Sequence, residues 1–235
     1  MSRFAQIVSR DGNFIPPIRP TPIGDRIYDT LLSQLISLKI PPGSRLSIDA
    51  LAREFGVSQT PIRAALIRLE SVGLVEKIHN VGYSTAPLPS RNRIDQMFDM
   101  RLLLEPYLAA RTAERMTKDL RSELKRLVAV MSKPRKDDPK IAYGHFALQN
   151  ADFHSWIAEH GGNDFAAEAL SRLYTYTHLF RLHFHSQVTT DSVEEHALIV
   201  EALSAGNASA ARDAMAAHIT KSRDRIAPYL ENWPG

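Results

Sequence analysis

The chain of 235 residues contains no cysteine, which excludes a disulfide framework and any thiolate metal site and fits a reducing compartment. It also lacks a long apolar run: no stretch approaches the roughly 18 residues that span a bilayer, and no charged-then-apolar leader opens it. The expectation is a soluble, cytoplasmic protein with no membrane partner. No HExxH or comparable hydrolytic motif is present, so a metal-dependent enzyme is not expected. A strong net charge is missing too, the formal value being +3 at pH 7.

That small excess is not evenly spread. Residues 1–90 carry ten Lys/Arg against seven Asp/Glu, whereas residues 91–235 carry nineteen of each. Histidine follows the opposite distribution, with His79 in the first part and eight others after it. The first part therefore suits a polyanion and the second a metal or small acid. On its own, an excess of three charges is ordinary surface variation.

What is present is helical periodicity. The first twenty residues, with Pro16, Pro17 and Pro20, show no apolar rhythm and read as a flexible arm. Ile27, Leu31, Leu35 and Leu38 then recur at helical steps up to Pro41-Pro42-Gly43. A short helix over Ile48 to Phe55 closes at Gly56, which can adopt the left-handed conformation. Ser58 is an N-cap candidate for a third helix, with Pro61 in its first turn and Ile62, Ala65, Leu66 and Leu69 as the buried stripe. After Gly73 the period shortens: residues 74–78 and 83–85 flank a tip of His79, Asn80, Val81 and Gly82, which reads as a hairpin. Beyond a linker near 87–92, helices are expected over 93–116, 119–131, 140–160, 164–185, 191–205 and 208–231.

The predicted fold is thus mainly α. Residues 21–88 form a winged helix-turn-helix with a small β-hairpin wing, and residues 89–235 form an all-α bundle of six or seven helices that binds an effector or metal and dimerises. In such a motif the second helix enters the major groove N-terminus first. Ser58, Gln59 and Thr60 lie at that end, where free N–H groups favour phosphate. Arg63, one turn on, can contact guanine or backbone through its planar fork, and Gln59 can read adenine. An isolated amphipathic helix would leave Arg63 and Arg68 as solvated surface charges; the capped helices and the hairpin around it favour DNA. In the wing, Gly82 lets the backbone approach the duplex and His79 or Asn80 can enter the minor groove.

The run Leu46-Ser47 to Leu51-Ala52, then Phe55-Gly56-Val57-Ser58-Gln59-Thr60-Pro61-Ile62-Arg63-Ala64-Ala65-Leu66, Arg68-Leu69-Glu70 and Gly73-Leu74-Val75 resembles the GntR family signature of bacterial regulators. Ile40-Pro41-Pro42-Gly43-Ser44-Arg45-Leu46 resembles the segment leading into it, which adds Arg45 to the DNA-binding set. Family members commonly have Arg where Gln59 stands and Glu where Ala64 stands, so operator preference does not carry over from the family. What the resemblance implies is a homodimer on an inverted-repeat operator.

The second half resembles the FCD ligand-binding domain of the FadR subgroup. Arg101-Leu102-Leu103-Leu104-Glu105, Asn150-Ala151-Asp152-Phe153-His154 with Gly162-Asn163, and Glu195-His196-Ala197-Leu198-Ile199 with Ala214-Met215-Ala216-Ala217-His218-Ile219 carry this resemblance. It implies a divalent metal held by Asn150, His154, His196 and His218, with Asn150 where the family has Asp. Three imidazoles and one oxygen suit zinc, nickel or manganese, with positions open for water or a carboxylate. Asp152, about 200° away around the helix, is a poor replacement ligand, and the amide of Asn150 predicts weaker affinity or altered metal choice. His145, His160, His178, His183 and His185 are read as ordinary solvated or hydrogen-bonded side chains. Arg101 has two readings, a helical pair with Glu105 or, by resemblance, a clamp on an effector carboxylate, with Arg181 as a possible helper. The expected function is a ligand-responsive regulator, a repressor, whose effector is a small organic acid.

Overall fold

The computed structural model describes residues 23–131, 139–173 and 188–230; the expected N-terminal arm and Arg181 lie outside them. Helix α1 (Ile23–Ile36) buries Ile27, Leu31 and Leu35 on the predicted face, together with Tyr28, Leu32 and Ile36. It ends earlier than the apolar rhythm suggests, because the chain turns at Leu38 with φ 56. Strand β1 (Arg45–Leu46) follows, then α2 (Ile48–Phe55) and α3 (Gln59–Ser71). The Ser47 hydroxyl accepts from the Ala50 N–H, and Gly56, at φ 64, ends α2 in the left-handed region where a Cβ would be strained. Ser58 has the extended backbone of an N-cap but makes no side-chain cap bond.

Strands β2 (Val75–Ile78) and β3 (Gly82–Thr85) form the expected hairpin. The sheet has a third member that sequence periodicity could not reveal: β1 pairs antiparallel with β3, giving the order β1-β3-β2. Thr85 locks this edge, its hydroxyl donating to the Pro41 carbonyl at 2.7 Å and accepting from the Ser44 N–H at 2.8 Å.

Six further helices occupy the described residues: α4 (Arg91–Glu114), α5 (Lys118–Met131), α6 (Pro139–His160), α7 (Asp164–Ser171), α8 (Val188–Ser204) and α9 (Ala208–Leu230). Helix α4 begins inside the expected linker because the Ser90 hydroxyl caps it, accepting from the Arg93 N–H. Helix α7 is a correction. The expected helix 164–185 ends at Ser171, where the chain turns with Leu173 N–H bonded to the Leu170 carbonyl, and residues 174–185 lie outside the described residues.

Helix α4 is the spine of the bundle, packed against α6, α7, α8 and α9. The Thr112 hydroxyl sits between the carbonyls of Leu108 and Ile157, fastening α4 to α6. At the end of α6, a Cβ on Gly161 would meet the Leu108 side chain at 2.8 Å, so glycine allows this close crossing. Helix α1 packs directly on α6, and one apolar core runs from Ile27 and Leu31 through Phe153 and Ile157 to Ile219. The winged unit and the bundle are therefore joined by packing as well as by chain.

Candidate functional site

Two surfaces carry the chemistry. On the winged unit, Ser58, Gln59, Thr60 and Arg63 lie exposed at the N-terminal end of α3, with Arg45 exposed on β1. His79, Asn80 and Gly82 stand exposed at the hairpin tip, where Asn80 takes φ 59 and Gly82 φ 102. Arg63 donates to the Gln59 amide oxygen at 3.1 Å, and Gln59 donates onward to Asp49 at 2.5 Å. Both base-reading candidates are thus oriented by an acid in the first turn of α2. Sequence reasoning passed over Asp49, which looks like an ordinary first-turn acid. Arg68 has a different role from Arg63: its guanidinium lies 3.9 Å from the Tyr28 ring centroid and pairs with Asp25, tying α3 to α1.

Inside the bundle, α6 supplies His154, α8 supplies His196 and α9 supplies His218, all three buried. One nitrogen from each lies within 4.8 Å of the others, a spacing from which small side-chain movements would bring all three onto one ion at zinc–nitrogen bond length. Asn150 is buried one turn before His154 on the same helix. Asp152 lies where helical spacing predicts, off this face, within electrostatic reach of Tyr28 on α1.

Each outer histidine is held by a carboxylate. His154 Nδ1 lies 2.6 Å from Glu105, whose other oxygen accepts from Arg101 Nε at 2.5 Å. His218 Nδ1 lies 2.8 Å from Glu195, which is gripped by both terminal nitrogens of Arg225 at 2.7 and 3.0 Å. Two parallel Arg–Glu–His chains therefore converge on the centre. With Nδ1–H donated to an ionised carboxylate, each Nε2 keeps its lone pair, the form a metal needs. Of the two readings of Arg101, the pair with Glu105 is the one formed, with both side chains 2% exposed. Glu195 and Arg225 escaped sequence reasoning, although Glu195 adjoins His196 in the quoted motif.

The protonation states agree. Burial pushes the Glu105 carboxyl upward, but Arg101 and His154 outweigh it and hold the group well below the usual carboxylate range. Burial also opposes ionisation of Glu195, yet its bonds to His218 and Arg225 bring it to about 2. All three imidazoles move down. Desolvation dominates in each, taking His218 to about 4, with Glu195 resisting; His196, flanked by His218 and His154 and lacking a carboxylate partner, falls well below the ordinary value. Glu105 partly offsets burial for His154. At neutral pH the centre holds three neutral imidazoles. The two arginines cancel the two glutamates.

His196 provides the test of fit. It is 1% exposed, and neither ring nitrogen has a hydrogen-bond partner among the described residues. A buried imidazole without a partner is costly unless something else engages it. A divalent ion at the shared point would do so, and the nitrogen-rich donor set fits zinc, nickel or manganese.

Residues 23–84 match the gntR family of bacterial regulatory proteins, and residues 96–221 match the FCD domain. The chain belongs to the GntR family, with an FCD domain following its helix-turn-helix. It is therefore a DNA-binding transcription regulator. This GntR protein is 28% identical over 215 residues to the transcriptional regulator LutR of Bacillus subtilis, covering 82% of the chain and 96% of LutR. A probable D-xylose utilization operon transcriptional repressor of Paenarthrobacter nicotinovorans is 24% identical over 203 residues, covering 85% and 86%. Among solved structures, Escherichia coli McbR/YncC superposes with a TM-score of 0.62 at 20% identity, covering 89% of this chain and 99% of that one, a likeness of fold. No helix among the described residues is long and apolar enough to cross a membrane.

Proposed function

We propose that the protein is a cytoplasmic, homodimeric repressor whose hold on an inverted-repeat operator is modulated by a small organic acid bound with a divalent metal in the bundle. The observation that carries this reading is His196, buried among two other neutral imidazoles with both its nitrogens lacking a described partner. Asn150, His154, His196 and His218 would hold the ion, which would supply Lewis acidity to grip a carboxylate. The protein charges around the centre already cancel, and Asn150 brings none. The ion's charge is thus left for an anionic ligand to balance. Arg101, whose Nε is paired with Glu105, is one candidate contact for that ligand, and Arg181 is the second.

Packing supports a route from sensor to DNA. Helix α6 carries Asn150 and His154 on one face and meets α1 of the winged unit with another. Tyr28 of α1 lies under Arg68 of α3, so a shift of α6 reaches the recognition helix through two contacts. The crevice beside His154, lined by Glu105, Leu108, Ile157, Ala158, Leu170 and Met215, is too tight for a water molecule. The ligand's differential affinity for two arrangements of the bundle sets how far operator binding moves. On the DNA side, Ser58, Gln59, Thr60, Arg63 and Arg45 meet the major groove and backbone, and His79, Asn80 and Gly82 the adjoining groove.

Calorimetric titration of zinc, nickel and manganese into chelator-treated protein tests the centre. Stoichiometric binding lost in both His154→Ala and His196→Ala supports the reading. Binding that survives in both, or no binding at all, overturns it.

A further inference from the structure

Helix α3 divides its surface unevenly. Ile62, Ala65, Leu66 and Leu69 form the buried stripe. At roughly 100° per residue the positions opposite it are Thr60, Ala64, Ile67 and Ser71, all within about 30° of the outward pole. All four are exposed, Ile67 by 56%. The pole carries no charge. Arg63 and Arg68 lie roughly 70° to either side of it, and each is held there: Arg63 by the Gln59 amide on the side of α2, Arg68 by Asp25 and the Tyr28 ring of α1. Ile67 is left open between them. A single exposed isoleucine is ordinary on a protein surface. This one stands on the helix that enters DNA, on the face turned away from the winged unit's own core.

We propose that Ala64 and Ile67 are specificity-determining residues that seat against the C5-methyl group of thymine in the major groove. The proposal rests on the reading that α3 docks there and is continuous with it, since Ser58, Gln59, Thr60 and Arg63 lie exposed on the preceding turn of the same helix. Base chemistry selects the occupant. In the major groove guanine offers two acceptors, adenine an acceptor and a donor, and cytosine a donor, whereas thymine adds a methyl group to its single acceptor. An alkyl side chain pressed on any of the first three strips water from polar atoms without replacing the lost hydrogen bonds. On thymine it buries one apolar group against another. Ala64 lets the backbone approach closely, and Ile67, one turn further on, reaches farther from the helix axis. From Ala64 to Ile67 the helix advances roughly 4.5 Å, little more than one base step of about 3.4 Å. The two side chains therefore face one or two neighbouring pairs in each half-site. Arg63 beside them fixes the helix on the flanking pair or phosphate. The operator is expected to place A·T pairs, with their thymine methyls under the pole, next to that contact.

Duplexes that differ by single methyl groups test this. The full chain first selects sequences from a library of random duplexes. Fluorescence anisotropy then compares the selected duplex with copies in which one thymine per half-site is replaced by uracil, which pairs identically and lacks only the methyl. The expected result is a loss of affinity of about fourfold for each methyl seated on the pole, at one or two positions per half-site. That ratio should fall close to one in Ile67→Ala at one of these positions, and in Ala64→Gly at the same or the adjacent one. Because the ratio compares two duplexes on one protein, any loss of folded protein in the glycine variant cancels. A uracil penalty that persists at every position in one variant removes that residue from the contact, and one that persists in both overturns the proposal. Selected half-sites without thymine, or uracil copies bound as tightly as the original at every position, overturn thymine recognition while leaving DNA reading by α3 intact. Failure to select any sequence over random duplex overturns both the proposal and the operator reading on which it rests.

Discussion

Lowering the pH of the metal-free protein from 7 to 5 should destabilise it through the buried histidines. For His218, burial and the neighbouring His154 and Arg101 hold the folded-state value at about 4, against an ordinary 6.5. The unfolded chain therefore binds more protons between those values. Stability is fully present above the ordinary histidine range and is lost as the pH falls toward the folded value. Between pH 7 and pH 5 this one group removes about 2 kcal/mol, which for a protein of this size lowers the melting temperature by roughly 4–8 °C. His154 and His196 add in the same direction. Glu105 and Glu195 are shifted below their ordinary 4.5, so their contribution is lost only at lower pH. Thermal denaturation in chelator, comparing wild type with His218→Asn, measures this. The variant should show a slope between pH 7 and 5 that is shallower by about the stated amount; equal slopes would refute the assignment of His218 as a buried neutral imidazole.

Other outcomes follow from the same geometry. Asn150→Asp should bind zinc at least about tenfold more tightly by calorimetry while lowering the melting temperature of the metal-free protein, since its carboxylate would be buried without the ion. Unchanged affinity would remove Asn150 from the ligand set. Glu195→Gln should weaken zinc about 10–100-fold and shift the His218 tautomer seen by nitrogen NMR, and a loss of affinity without that shift would point to packing instead. Asp49→Ala frees Gln59 and removes a negative charge beside the recognition helix. Binding to operator and to random duplex should both tighten, most at low salt, and an unchanged affinity in fluorescence anisotropy would show that Asp49 does not restrain the reading residues.

Local signals made much of this legible in the sequence, and long-range ones did not. Gly56 announces the end of α2 because caps are local chemistry, whereas Ser90, expected within the linker, caps α4 by accepting from the Arg93 N–H. Strand β1 has two residues, too few for any period. Helix α7 ends without glycine or proline, so apolar rhythm ran past Ser171. The three histidines were found through motif resemblance. Their carboxylate partners span 49 residues for Glu105–His154 and 23 for Glu195–His218, separations that only the packing of four helices around α4 brings together.

The most direct measurement is fluorescence anisotropy of a duplex taken from the DNA flanking the protein's own gene, titrated at several salt concentrations with zinc and a panel of small carboxylic acids. Salt-sensitive binding tighter than to random duplex, abolished by Arg63→Ala and weakened about 5–150-fold by one acid only when His196 is intact, is the expected result. Operator binding indifferent to every metal–acid combination, or equally responsive in His196→Ala, would contradict a metal-centred sensor coupled to the winged helix.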